Sequence, residues 1–258
     1  MRSFLLTLMF VLSLFFTAMA LAIDIKFCYE DKALPPMFTG TGMDVPEKSP
    51  GASIEILQQV EQALSSVRFN FIRKPWKRCL ADLKQNKAHA VIASFREERL
   101  EYMAYPLNSS GQIDFSKAIS QFGSCLVGKP LRLKSAFLPE NTSVALPNGY
   151  SIVKLLESQG YQVVTTYSQR DAYELVLNDL VDATVGVCEI GDEPVNGFLH
   201  AETLVAKYPP IETNFGFIAF SNSFYHENEQ EVLEIWDYLS TMPSSPVYLK
   251  YIMSGLEE

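Results

Sequence analysis

From residue 23 onward the apolar positions switch repeatedly between two periods. IDIKFCYE alternates apolar and polar residues, the pattern of a strand. ASIEILQQVEQAL spaces Ile54, Leu57, Val60 and Leu64 as one face of a helix. RFNFIRK alternates again. PWKRCLADLKQN brings Trp76, Leu80 and Leu83 near one helical face, with Pro75 suited to a first turn. AHAVIASF predicts a third strand. The Pro- and Gly-rich DKALPPMFTGTGMDVPEKSPG reads as a loop. Strand, helix, strand, helix, strand is the alternation of a parallel α/β sheet.

A second series follows. SQFGSCLVG is a strand, SVALPNGYSIVKLLESQG a strand, Gly turn and helix, and YQVVTTY a strand. SQRDAYELVLNDL is a helix and VDATVGVCE a strand. LADLKQNKAHAVIAS and YELVLNDLVDATVGV echo each other: each is a helix, an Asn near its end, a short turn and an Ala-Val strand. The chain therefore reads as two similar α/β halves. The tail adds a strand in NFGFIAFS, a helix in HENEQEVLEIWDYLS with Val232, Ile235, Trp236 and Leu239 on one side, and a last helix in SPVYLKYIM. If the first half needs these elements, the chain crosses back near residues 208–214, and two connecting segments form a hinge.

Residues 1–22 do not join this pattern. Arg2, an apolar stretch from Phe4 to about Thr17, and two small-x-small sites (Ala18-Met-Ala20, Ala20-Leu-Ala22) predict a cleaved secretory signal peptide. The alternative is an uncleaved anchor, for which the apolar stretch is short. Losing Arg2 with the leader takes the net charge from −9 to −10. An acidic chain repels phosphate backbones, so nucleic acid is not an expected partner. Apolar content of 48% against 20% charged residues is enough to bury a core.

Cys28, Cys79, Cys125 and Cys188 would enter an oxidising compartment, where two structural disulfides are expected; four cysteines allow three pairings. No CxxC spacing occurs, and His89, His200 and His226 are far apart, so no metal or other cofactor is expected.

The run LKQNKAHAVIASFREERLEYMAYP carries a family resemblance. It is similar to bacterial periplasmic solute-binding proteins serving polar amino-acid importers (extracellular solute-binding protein family three), in which a Gly-Lys turn, an Asp-Ala strand and a Ser-Ile-Thr-x-x-Arg turn precede an aromatic and Pro. Ser94, Arg96 and Arg99 fall on the Ser, Thr and Arg places. FCYEDKALPPMF and PWKRC resemble a subgroup with paired cysteines. The resemblance spans nearly the whole mature chain. It implies two Rossmann-like α/β lobes joined by a two-strand hinge, the type II periplasmic-binding-protein fold. Lobe one would be residues 23–112 plus 213–258, and lobe two 113–212. Intralobe pairing leaves the hinge free, so the resemblance implies Cys28–Cys79 and Cys125–Cys188.

The ligand site it implies lies between the lobes. Arg99 follows the carboxyl end of a strand, where α/β sheets bind ligands. Its planar donors match a carboxylate. The alternative is a surface arginine paired with Glu97, Glu98 or Glu101. Arg96, in place of the usual Thr, either adds positive charge or points to solvent. In LPNGYS, Gly149 allows an unusual turn before a helix. Asn148, Gly149, Tyr150 and Ser151 would face the cleft there, or Ser151 is an ordinary cap. Trp76, Tyr29 and Phe38 are candidate apolar walls, or core. Glu30 could accept from a cationic ligand. The family's amino-group Asp falls on Val187 here, and Glu189 is the available substitute.

The function so implied is capture of a small polar, carboxylate-bearing solute, amino-acid-like or an organic acid, by a monomer that serves the permease of an ABC importer. The alternatives are a ligand sensor for a membrane receptor, a dehydratase-type enzyme using Glu30, Glu189 or Asp192, and a secreted structural or adhesion module. No GxSxG, HExxH, Walker or Rossmann fingerprint supports an enzyme.

Overall fold

The computed structural model describes residues 22–134, 140 and 142–254. The leader expected at residues 1–22 lies outside them except for Ala22. In chain order the elements begin with β1 (Ile23–Glu30), α1 (Ala52–Ala63), β2 (Val67–Lys74), α2 (Trp76–Lys84), β3 (Ala90–Ser94) and β4 (Met103–Ala104). Next come β5 (Ser120–Gly128), α3 (Pro130–Lys134), β6 (Ser143–Pro147), α4 (Ile152–Ser158), β7 (Gln162–Thr166), α5 (Gln169–Leu177), β8 (Ala183–Ile190) and β9 (Glu193–Gly197). Last are β10 (Val205–Ser221), α6 (Asn222–Glu227), α7 (Glu229–Thr241) and α8 (Ser245–Met253).

The strands form one hydrogen-bonded path in the order β2-β1-β3-β10-β5-β8-β6-β7. At one end β1 is parallel to β2 and β3, and at the other β6 is parallel to β7 and β8. Between them β10 runs antiparallel to both β3 and β5. The path therefore holds two α/β lobes, and β5 and β10 are the pair of strands that pass from one to the other.

β10 explains how one strand serves both lobes. Val205–Lys207 pairs with the far end of β5, Glu212–Gly216 with its near end, and Gly216–Phe220 with β3. The register shifts between Lys207 and Glu212, across Pro209 and Pro210. Proline has no N–H to give the ladder, so the pairing must break there.

Each lobe has its own apolar layers. β1, α1, α7 and α8 bury Phe27, Ile56, Leu57, Ile235 and Trp236. Each such side chain contributes about 1.5–3 kcal/mol on full burial. The Trp236 indole N–H also donates to the Ile218 carbonyl at 2.8 Å. The opposite face packs Leu83, Val91 and Phe217 around the disulfide Cys28–Cys79. In the other lobe Tyr173, Val176 and Phe198 cover one face and Leu126, Leu146 and Leu156 the other. The second disulfide, Cys125–Cys188, ties β5 to β8.

Candidate functional site

The loops at the carboxyl ends of β1 and β3 face the β6–α4 turn and the start of α5. Between them lies a cavity of about 250 Å³ lined from both lobes and from the crossing strands. That is slightly below the ~300–1,000 Å³ of most small-molecule sites, a size for a metabolite rather than a peptide.

Local sequence holds these walls in place. Gly51, at φ 108°, opens α1, and a Cβ there would run into the backbone of Met37 and Phe38. Only glycine lets the 34–38 loop lie on the helix start. Cys79 bonds to Cys28, so α2 is tied to the end of β1 and Trp76, its first residue, faces the cavity. Ser168 and Asp171 form a capping box that starts α5 and brings Gln169 to the cavity wall.

Arg99 lines the cavity from the one-turn helix Glu97–Arg99. Its Nη1 donates to the Ser94 carbonyl at 2.8 Å, and the Tyr105 hydroxyl donates to the same oxygen at 3.1 Å. No described carboxylate lies within 4.0 Å of its guanidinium, so it is not the surface ion pair with Glu97, Glu98 or Glu101. Burial pushes the Tyr105 hydroxyl up to about 12, keeping it a neutral donor.

Arg96 is engaged across the cleft and is not turned to solvent. Its Nη2 donates to Ser151 Oγ across the cleft at 3.1 Å and lies 3.5 Å from Glu212 Oε2. Ser151 thus bonds Arg96 instead of capping α4, and α4 has only the seven residues Ile152–Ser158. Tyr150 lines the cavity and donates across it to Glu30 Oε2 at 2.8 Å. Glu30 is 6% exposed. Burial raises its carboxyl above the ordinary glutamate value, while the Tyr150 hydrogen bond and Lys32 pull the other way. Burial, followed by the Glu30 charge, holds the Tyr150 phenol well above its usual value.

Asn148 and Gly149 meet the opposite lobe instead of the cavity. Lys77 Nζ donates to Asn148 Oδ1 at 3.0 Å, and a Cβ on Gly149 (φ 94°) would stand 2.8 Å from Lys77 Cε. Tyr29 is 1% exposed and packs at a tilt against Phe38, with ring centroids 4.9 Å apart; of the two, Phe38 reaches the cavity. Glu189 packs on Gly123 beside Pro210 and does not line the cavity, whereas Val187 does. Ser94 also lines it.

The cavity therefore brings together Arg99, Ser94, Trp76, Tyr150, Ser151, Glu30 and Phe38 among the sequence candidates. It adds Gln169, Glu212, Asn214 and Phe122, which the sequence reading passed over. Glu212 and Asn214 alternate in IETNFG, a strand signal that could have flagged both. Among the described residues, no three His, Cys, Asp or Glu side chains cluster as a metal site.

No family model and no curated protein matches the sequence. Solved structures do share its fold. The GluR0 ligand-binding core from Nostoc punctiforme, in complex with L-glutamate, superposes with a TM-score of 0.64 at 16% identity, covering 90% of this chain and 98% of that one. A histidine kinase sensor domain with similarity to periplasmic binding proteins gives 0.66 at 14%, covering 91% and 96%. The probable amino-acid ABC transporter extracellular-binding protein of Bacillus subtilis gives 0.61 at 11%, covering 90% and 97%. The chain has the type II periplasmic-binding-protein fold. In this periplasmic-binding-protein fold β5 and β10 are the hinge strands, and the cavity is the interlobe cleft.

Proposed function

We propose that the protein is a periplasmic solute-binding protein that captures a small carboxylate-bearing solute between its lobes. The observation that carries this reading is Arg99, a guanidinium with no described carboxylate within 4.0 Å, in an interlobe cavity of metabolite size. A carboxylate entering there meets planar paired donors in a partly desolvated site, where charged hydrogen bonds are strongest. We take lobe one as residues 23–112 with 213–258 and lobe two as 113–212, so that a ligand held by Arg99 and by the 150–151 turn contacts both. Each lobe alone offers a part of these contacts, and binding then favours the closed state.

The solute goes to a membrane permease of an ABC importer. Delivery of the same closed state to a membrane receptor is the second reading, favoured by the likeness to a histidine kinase sensor domain. The protein works as a monomer without nucleic acid or cofactor. Catalysis is not part of this reading: of the acids considered for it, Glu30 is engaged by Tyr150, and Glu189 and Asp192 do not line the cavity.

The test is a thermal-shift screen over amino acids, organic acids and short peptides, followed by Arg99→Ala. Small-angle scattering with the best hit is expected to show compaction. An adhesion module would bind none of these solutes and would not compact.

A further inference from the structure

The polar groups of the cleft are unevenly engaged. Arg99 keeps one Nη on the Ser94 carbonyl and has no described carboxylate within 4.0 Å. Both acids that line the cavity already serve protein donors. Glu30 accepts from Tyr150 at 2.8 Å, and Glu212 lies between Arg96 at 3.5 Å and the Asn214 amide at 2.9 Å. The Gln169 amide is likewise turned to Thr184 and the Val185 carbonyl. Much of the remaining wall is apolar, with Trp76, Phe38, Phe122, Ile92, Ile152 and Val187.

Such a cavity treats the two ends of a zwitterion differently. A carboxylate finds the Arg99 guanidinium, which has no carboxylate partner among the described residues. An ammonium would have to share Glu30 and Glu212 with the donors they already hold, and the apolar walls offer it no further acceptor, which makes its burial unfavourable. An apolar body, in contrast, gains by leaving water. Burial also raises the Glu30 carboxyl above its ordinary value, against the pull of the Tyr150 hydrogen bond and Lys32.

From this arrangement we propose that the solute is an apolar monocarboxylate, an acid with an aromatic or aliphatic body and no ammonium group. The inference rests on the reading that the cleft captures a carboxylate, and it adds the class.

Calorimetric titration of the oxidised protein with matched probes tests it. The pairs are 3-phenylpropanoate against L-phenylalanine and hexanoate against L-norleucine, each differing only by the α-ammonium. Succinate and phenethylamine complete the set. At least one apolar acid should bind ten-fold or more tightly than its amino-acid partner. Arg99→Ala should weaken it at least ten-fold, and Arg99→Lys, a milder change, less. An amino acid binding as tightly as its deamino partner, or succinate alone binding in an Arg99-dependent way, would overturn the apolar class while leaving carboxylate capture intact. Binding of phenethylamine alone, affinity unmoved in both Arg99 variants, or no binding of any acid would overturn both.

Discussion

Arg99 and Glu30 show how much depends on what each side chain meets. Both are charged residues beside strand ends, yet one has no counter-ion among the described residues and the other is buried against a tyrosine. Burial raises the Glu30 carboxyl, so the folded state holds that proton more tightly than the unfolded chain. The resulting stability is complete below the unfolded value of about 4.3 and is lost as pH rises through the higher folded value. Glu30→Gln should therefore melt above the native protein at neutral pH, with the gap closing on acidification; melting curves across that range check it. A gap that widened toward acid would show that the carboxylate is net stabilised by Tyr150. The place of Arg99 was legible from the sequence because it depends on a strand and a following turn. The partners of Arg96 were not, because Ser151 and Glu212 come from distant parts of the chain. For the same reason Tyr29 and Glu189 read as ligand candidates although neither lines the cavity: a strand residue points to one face or the other, and which face meets the cavity is decided by the packing of other elements.

At the scale of elements, the two disulfides join strands to their neighbours within each lobe. Cys28–Cys79 closes a separation of 51 residues and fixes α2 on β1; Cys125–Cys188 closes 63 and fixes β5 on β8. Loops of this size correspond to about 4 kcal/mol each in the chain-entropy picture. Replacing Cys28 and Cys79 together by Ala should cost a value of that order in denaturant unfolding and also weaken ligand binding, since Trp76 rides on α2. The Cys125–Cys188 pair should cost similar stability with a smaller effect on binding through Trp76. Periodicity read the long elements well, including the parallel alternation and the terminal helices. It missed β9, a five-residue strand with a proline and mostly exposed residues, held by pairing to β8. It also began the last strand at NFGFIAFS, whereas β10 starts at Val205 and passes through the prolines that hide its continuity.

Across the whole molecule, polar contacts bridge the lobes at and around the cavity. Tyr150 reaches Glu30, Lys77 reaches Asn148, Arg96 reaches Ser151, and Lys32 stands 3.5 Å from the Tyr167 ring centroid. They act only when the lobes are together, so removing one should shift the balance toward an open form. Tyr150→Phe should give a larger radius of gyration without ligand and an affinity lower by roughly five- to ten-fold, the loss of about 1 kcal/mol for one hydrogen bond. Scattering profiles and titrations read both quantities. The central claim is that Arg99 receives the solute's carboxylate. Titrating the best carboxylate hit into the native protein and into Arg99→Ala tests it most directly. Loss of a charged hydrogen bond of about 1.5–3 kcal/mol predicts an affinity roughly ten- to a hundred-fold weaker in the variant; equal affinities in two equally folded proteins would contradict it.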